Sequence, residues 1–188
     1  MTKLAIEAQK LQQFLEGMGW RFCFIGGLAL QIWGQQRMTK DIDLTLFSGF
    51  VDEEAYVDAL LTQYEGRISD AKEFALKRRV LLLQTEGHIG IDISLGGLPF
   101  EDDLIERATY QEYVKAISLL TCSAEDLIIM KMIASRPQDW IDIESIVIRQ
   151  QKLDWKYIEK QYTPFVELLD NTDSLFRLQE VRARYYQK

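Results

Sequence analysis

The sequence predicts an α+β protein, on the basis of how its helical and strand patterns are distributed. Patterns typical of strands concentrate in the first two-thirds of the chain, whereas helical patterns fill the last third. The 188 residues contain no repeat and no low-complexity tract. Hydrophobic residues make up 47% and charged residues 27%, the balance of an ordinary globular protein. We therefore expect an α/β core over residues 1–121 and a helical C-terminal region over residues 122–188, packed on this core.

The N-terminal third is expected to alternate helices and strands. Apolar residues recur every three or four positions over residues 3–17, which predicts a helix. A short apolar run predicts a strand over 21–25, and a helical segment follows over 28–33. Polar and apolar residues alternate over 41–47, which is typical of a strand with two different faces. The next helix is expected over 52–64, with acidic residues at its positive N-terminal end.

The rest of the core is expected to be sheet, and the chain then becomes helical. Two apolar runs over 78–84 and 89–95 predict strands that the turn at 85–88 joins into a hairpin. A further strand is expected over 113–120. Ser123 has the side chain of an N-cap and begins a helix that reaches about residue 135. Three more helices are expected over 137–150, 154–168 and 173–187.

Composition and charge exclude several classes of function. The formal net charge of −7 argues against a protein that coats nucleic acid nonspecifically, because such affinity comes from Lys and Arg on phosphates. A single histidine, His88, excludes sites that need several imidazoles. No apolar stretch approaches the ~18 residues of a membrane span, so we expect no membrane partner. Cys23 and Cys122 lie among apolar residues and no export signal is visible, which predicts reduced cysteines and a cytoplasmic location.

The clearest chemical signal is the pair Asp41 and Asp43. Residues two apart on a strand point to the same face, with Cα atoms roughly 6.5–7 Å apart. Two neighbouring carboxylates repel each other unless a cation lies between them. Mg²⁺ prefers oxygen ligands and usually binds substrate phosphates as well. The pair therefore indicates a metal site, with an exposed acidic strand face as the alternative interpretation.

Residues that precede this pair are suited to phosphate. Gly26 and Gly27 stand where a strand gives way to a helix, so backbone and phosphate can approach closely at a helix N-terminus. A simple tight turn is the alternative. Arg37, Thr39 and Lys40 come just before the acidic pair and supply further hydrogen-bond donors.

A third acidic residue, Asp92, stands in the middle of a predicted strand. It lies between Ile91 and Ile93, and a carboxylate among apolar residues has a desolvation cost that needs a reason. A position facing the first two carboxylates would supply that reason, because Asp92 could then bind a metal or accept a proton from an attacking hydroxyl. An outward-facing polar residue is the alternative.

Together these residues resemble the nucleotidyltransferase superfamily of DNA polymerase β. That superfamily has Gly-Gly or Gly-Ser at a helix start, Asp-x-Asp on a strand and a later Asp on a neighbouring strand. More narrowly, residues 25–44, which end in Arg-x-Thr-x-Asp-Ile-Asp-Leu, look like the AbiEii-type abortive-infection nucleotidyltransferases. Residues 123–144 also look like that family, with a helical lysine followed by Arg-x-x-Asp-x-x-Asp. The resemblance covers roughly residues 20–150.

The resemblance implies a mixed β-sheet flanked by helices, with a helical C-terminal part, and it implies residue roles. Mg²⁺ or Mn²⁺ would be held by the carboxylates that also form the catalytic set, Asp41, Asp43 and Asp92. Nucleotide phosphates would be contacted by Gly26, Gly27, Arg37, Thr39 and Lys131. Asp139 and Asp142, near Arg136, are expected to form structural salt bridges rather than to act in catalysis.

The function implied is transfer of a nucleoside monophosphate from a nucleoside triphosphate to an acceptor hydroxyl, with release of pyrophosphate. One version is a toxin that modifies tRNA or a protein and has a cognate antitoxin. Another is an enzyme that modifies a small molecule, such as a lincosamide or aminoglycoside antibiotic. A non-catalytic nucleotide-binding or antitoxin-like module of the same fold stays an alternative, as does a plain α+β interaction protein.

Overall fold

A computed structural model describes residues 2–169 and 173–186. The chain divides into two compact units. The first comprises Met1–Leu28 and Met38–Cys122, and the second comprises Ala29–Arg37 and Ser123–Lys188. The division after residue 121 that we inferred from the sequence stays a prediction.

The α+β class and the helical C-terminal part are confirmed. The helices of the described residues are α1 (Thr2–Gly17), α2 (Gly26–Trp33), α3 (Glu53–Leu61), α4 (Ala71–Arg78), α5 (Pro99–Glu106), α6 (Ala124–Ala134), α7 (Pro137–Arg149), α8 (Trp155–Leu169) and α9 (Asp173–Tyr185). The strands are β1 (Phe22–Phe24), β2 (Ile42–Phe47), β3 (Glu65–Gly66), β4 (Val80–Gln84), β5 (Gly90–Gly96), β6 (Thr109–Val114) and β7 (Ile117–Thr121). The last residue of the helix expected over 173–187 lies outside the described residues.

The first unit is built on a mixed sheet in the order β3-β4-β5-β2-β1-β7-β6. Strands β2 and β5 are parallel neighbours at its centre, and β4 pairs with β5 as the expected antiparallel hairpin. Parallel neighbours require a connection that crosses over, and the chain between β2 and β5 contains both α3 and α4.

One expectation about the sheet is wrong. Residues 113–120 do not form a single strand, because β6 and β7 pair as a hairpin that turns at Lys115 and Ala116. Ala116 has a φ of 67°, in the left-handed region that an alanine enters only where a turn demands it. Every residue of β6 is exposed or half-buried, and its sequence lacks the apolar alternation by which a strand is recognised.

The core of the first unit follows from alternation on its central strands. Ile42, Leu44 and Leu46 of β2 are fully buried, as are Ile91 and Ile93 of β5. These side chains pack in one cluster with apolar residues of α1, including Leu4, Ala8, Leu11 and Leu15. Burying an aliphatic side chain contributes about 1.5–3 kcal/mol, so this face of the sheet is fixed strongly. The opposite face of the same two strands carries the polar pairs Asp43–Asp92 and Thr45–Ser94.

The second unit is helical. Ser123 caps α6 as expected, because its Oγ accepts a hydrogen bond from the backbone N–H of Asp126 at 3.1 Å. Trp140 of α7 is buried, and its ring N–H donates to Ser135 Oγ at 3.1 Å. Within the described ranges, no helix combines the length and the apolar character that a membrane crossing requires.

Candidate active site

Asp43 and Asp92 lie side by side at the centre of the sheet. They are register partners in the parallel pair of β2 and β5. Side chains of neighbouring residues in parallel strands point to the same face, and Asp41, two residues before Asp43, belongs to that face as well. Asp41 immediately precedes β2 and is exposed, whereas Asp43 and Asp92 are half-buried. The three carboxylates predicted from the sequence therefore share one face of two adjacent strands, which we call the carboxylate face.

The carboxylate face also contains an arginine, Arg67. Its Nη2 donates to Oδ1 of Asp92 in an ion pair. A Cβ built on Gly90 would lie 2.5 Å from Asp41 Oδ1 and 2.6 Å from Arg67 Nη1. Because Gly90 has no side chain, the guanidinium and the Asp41 carboxylate can both lie over this position of β5.

The charges around Asp92 affect its protonation. Burial raises the pKa of the Asp92 carboxyl above its ordinary value; the charge of Arg67 opposes this rise, and the charge of Asp41 adds to it. A carboxylate with a raised pKa is a stronger base than an ordinary aspartate. This property suits a group that accepts a proton from an attacking hydroxyl.

The two glycines at the start of α2 contact residues near the carboxylate face. The backbone N–H of Gly27 donates to Asp43 Oδ2 at 3.3 Å. Gly26 has a φ of 55°, and a Cβ there would overlap the Asp43 carboxylate. A Cβ on Gly27 would overlap the side chain of Thr39, whose hydroxyl donates to the carbonyl of Asp41 at 3.3 Å. The structure thus brings together six predicted site residues: Gly26, Gly27, Thr39, Asp41, Asp43 and Asp92.

The other two predicted phosphate ligands, Arg37 and Lys131, lie in the second unit and share one carboxylate, Asp142. Lys131 Nζ donates to Asp142 Oδ2 at 2.6 Å and to Asp139 Oδ1 at 3.2 Å. Arg37 donates to Asp142 through Nε at 3.2 Å and through Nη2 at 3.1 Å. Asp139 and Asp142 thus form salt bridges as expected, but their partners are Lys131 and Arg37. Arg136, the partner suggested by the sequence, contacts Asp139 through its backbone N–H at 3.1 Å.

Asp142 is held as a carboxylate in this network. Its side chain is only 3% exposed, so burial acts to raise its pKa. Hydrogen bonds from Lys131, Arg37 and Gln138 outweigh burial, and the pKa of Asp142 is lower than its ordinary value. The network is therefore charged at neutral pH, and it fixes the Lys131 ammonium in place.

The donor chemistry of the carboxylate face fits a divalent cation. Oxygen atoms of Asp41 and Asp43, with Asp92 on the neighbouring strand, are the ligands that Mg²⁺ or Mn²⁺ accepts. In the part of the chain that the structure describes, no three His, Cys, Asp or Glu side chains form a group that could hold a metal ion as they stand. Arg67 engages one oxygen of Asp92 in this arrangement.

Arg67 is the residue of this face that sequence analysis missed. It follows β3, a strand of two residues that no periodicity predicts. Its contact with Asp92 spans 25 residues of sequence and depends on how β3, β4 and β5 align. No local sequence pattern indicates that this arginine contacts Asp92, because the edge strand before it is not itself predicted.

Known structures share this fold. An antigenic nucleotidyltransferase-like protein from Paracoccidioides brasiliensis aligns with a TM-score of 0.58 and 15% identity, over 94% of each chain. The solution structure of the antibiotic-resistance factor ANT(2'')-Ia aligns with a TM-score of 0.53 and 18% identity, over 92% of this chain and 95% of that one. At these identities the likeness shows the fold alone. Curated proteins gave no match to the sequence.

The sequence itself assigns the chain to a family. The family described as "Nucleotidyltransferase of unknown function (DUF6036)" matches residues 2–188. This match covers both units and includes the carboxylate face and the Lys131–Asp142 network. The chain therefore belongs to this family of nucleotidyltransferases.

Proposed function

We propose that this protein transfers a nucleoside monophosphate from a nucleoside triphosphate to an acceptor hydroxyl. The observation that carries the proposal is the register of Asp43 with Asp92, which aligns them on one face with Asp41. In a chain of a nucleotidyltransferase family, such a face is suited to a metal-bound triphosphate.

Asp41 and Asp43 are the proposed ligands of Mg²⁺ or Mn²⁺, and Asp92 completes the set. When bound, the cation neutralises charge on the triphosphate and on the oxygens at the reacting phosphorus. The protein's part is to hold three carboxylates on a rigid sheet, where Ile91 and Ile93 anchor β5 from its other face.

The start of α2 is the proposed phosphate cradle. Helix N-termini direct backbone N–H groups and a partial positive charge outward, which suits a phosphate. The places that side chains of Gly26 and Gly27 would take are filled by Asp43 and Thr39, so the two glycines let the start of this helix lie close to the carboxylate face. The Gly27 N–H donates to Asp43 over a long 3.3 Å, so a phosphate oxygen can compete for it. Thr39 braces the loop before β2 through its bond to the Asp41 carbonyl.

Asp92 is the proposed proton acceptor. The acceptor oxygen attacks the α-phosphorus in line, and its proton passes to a carboxylate oxygen of Asp92. A new O–P bond forms as the bond from the α-phosphorus to the bridging oxygen breaks, and pyrophosphate leaves with that electron pair. No covalent intermediate with the enzyme is needed.

Arg37 and Lys131 complete the proposal as phosphate-binding residues, on the strength of the family resemblance. The two residues differ in their access to solvent: the Arg37 side chain is 43% exposed and that of Lys131 is 8% exposed. Arg37 can therefore meet a phosphate directly. The Lys131 ammonium would have to loosen its bonds to Asp139 and Asp142 to do the same.

For the acceptor, we propose tRNA or a protein, in the manner of the AbiEii-type toxins. The support is the match of residues 25–44 and 123–144 to the pattern of that family, and a cognate antitoxin would be the partner. A small hydroxylated molecule is the second candidate. Two observations favour it: the net charge of −7, which disfavours RNA, and the antibiotic-resistance factor among proteins of this fold.

Incubation with each α-³²P-labelled nucleoside triphosphate and Mg²⁺ tests the proposal. Total RNA, a protein extract and a mixture of aminoglycosides and lincosamides are supplied as separate acceptor pools. The double variant Asp41→Asn/Asp43→Asn is compared with Glu54→Gln/Asp58→Asn, which removes two exposed carboxylates of α3 that pair with Lys72.

Label is expected on one pool with the wild type and with the α3 variant, and not with Asp41→Asn/Asp43→Asn. The pool that carries the label then identifies the class of acceptor. Nucleotide binding without transfer to any pool would instead indicate the non-catalytic module.

A further inference from the structure

Four residues form one row across the sheet and connect Arg67 to the carboxylate face. The backbone N–H of Arg67 donates to the carbonyl of Leu82 on β4 at 2.9 Å. Leu82 is the register partner of Asp92, and Asp92 is the register partner of Asp43. Arg67 therefore starts roughly two strand spacings, about 9.5 Å, from the backbone of Asp92. Only a long side chain can cross Leu82 and reach that carboxylate.

The end of the Arg67 side chain lies at a place that the sequence keeps open. Its Nη2 bonds Asp92, while Nη1 lies 2.6 Å from where a Cβ of Gly90 would be. Asp41 Oδ1 lies 2.5 Å from the same point. The guanidinium thus lies over Gly90, with one carboxylate bound and another close by.

The negative charges of the carboxylate face call for a positive charge close to them. Three carboxylates share the carboxylate face, and like charges in a partly desolvated place disfavour one another. The Arg67 side chain is 29% exposed and that of Asp92 is 36% exposed, so solvent screens their pairing in part. An arginine cannot lose its charge at neutral pH, so it is a permanent counter-ion.

We propose that Arg67 is a resident counter-ion of the carboxylate face, and that it competes with the divalent cation for Asp92. When the cation binds, the Asp92 oxygen must exchange the guanidinium for the metal, so Arg67 weakens metal binding and stabilises the face without metal. This inference rests on the proposed function only in taking Asp41, Asp43 and Asp92 as metal ligands.

Mn²⁺ binding by the purified chain tests this competition without any need for an acceptor. Electron paramagnetic resonance of free Mn²⁺ gives the dissociation constant for the wild type, Arg67→Gln, Arg67→Lys and Asp41→Asn/Asp43→Asn. Lys72→Gln is the matched control, because it removes a cation that pairs with Glu54 and Asp58 on α3.

Arg67→Gln is expected to bind Mn²⁺ about tenfold more tightly than the wild type, a modest effect for one charge beside a carboxylate. Arg67→Lys keeps the charge without the planar fork, so its affinity should lie between the two. Lys72→Gln should match the wild type. Without Mn²⁺, Arg67→Gln should melt below the wild type, and Mn²⁺ should raise its melting temperature more.

The failures of the two proposals are distinguishable. Equal Mn²⁺ affinity in the wild type and Arg67→Gln, with binding lost in Asp41→Asn/Asp43→Asn, overturns the role of Arg67 and leaves the metal site standing. Binding by neither the wild type nor Arg67→Gln overturns both. Binding by Arg67→Gln alone supports the competition in its strongest form. If Arg67→Gln does not fold, Arg67→Lys is compared with the wild type in its place, and a smaller gain in Mn²⁺ affinity is then the expected result.

Discussion

Lys131 Nζ lies 2.6 Å from Asp142 Oδ2, and both side chains are almost fully buried. A buried ion pair of this kind is costly to break from one side, because the remaining charge is left without its partner. The pair spans the turn between α6 and α7, so it ties two helices of the second unit together.

The first prediction is that Asp142→Asn destabilises the protein at neutral pH by about 3–5 kcal/mol. The neutral amide that replaces the carboxylate has no charge to pair with Lys131 and Arg37. The Lys131 ammonium then keeps Asp139 as its only carboxylate partner in the network. Urea unfolding gives the free energy of unfolding. Asp58→Asn, an exposed control on α3, should change it by less than about 1 kcal/mol.

The difference in the free energy of unfolding between the wild type and Asp142→Asn should shrink as the pH falls. The pKa of Asp142 is lowered in the folded protein, so its contribution is complete above the ordinary aspartate pKa of about 3.9 and is lost as the pH falls through the folded pKa. Unfolding curves at decreasing pH should therefore bring the wild type and Asp142→Asn together. A gap that stays constant into strong acid would contradict the charged network.

The second prediction concerns the glycine at the start of α2. Gly26→Ala should lower the free energy of unfolding by about 1–2 kcal/mol, because its φ of 55° is unfavourable for alanine. The added Cβ would also push the Asp43 carboxylate out of place, so nucleotide transfer should be lost. Gly17→Ala is the control, since its Cβ would meet nothing within 4 Å. Full transfer activity in Gly26→Ala would refute the close approach of α2 to Asp43.

The third prediction concerns Asp92 as proton acceptor. Asp92→Asn should slow transfer by about 10²–10⁴-fold while nucleotide binding persists. Burial raises the pKa of Asp92 in the chain without metal. A protonated carboxyl cannot accept the proton, so the rate should rise with pH as Asp92 ionises. Rate and equilibrium binding are measured separately over the same pH range. A loss of binding equal to the loss of rate would assign Asp92 to ground-state binding instead.

The sequence could predict the carboxylates because their pattern is local. Alternation places Asp41 and Asp43 on one face of β2, and buried isoleucines on both sides of Asp92 indicate the same for β5. That the two strands are neighbours followed from the family resemblance. Their register, Asp43 opposite Asp92, needed the structure.

The parts that sequence missed lack periodicity or depend on distant contacts. Half of the residues of helix α4 are charged and it buries only Ala71 and Ala75, so no clear apolar stripe identifies it. Lys131 stands within the apolar run of residues 127–134, and nothing in that run tells which carboxylates it meets. Its burial arises because α7 brings Asp139 and Asp142 against it. Arg67 is placed by the pairing of three strands, which no local rule gives.

The most direct measurement for the central claim is a crystal structure with Mn²⁺ and a non-hydrolysable nucleoside triphosphate, using the anomalous signal of manganese. We predict a manganese peak about 2.0–2.3 Å from carboxylate oxygens of both Asp41 and Asp43, with the phosphates at the start of α2. The Arg67 guanidinium should have left Asp92. A nucleotide bound elsewhere, or no manganese on these two carboxylates, would contradict the assignment of this face as the active site.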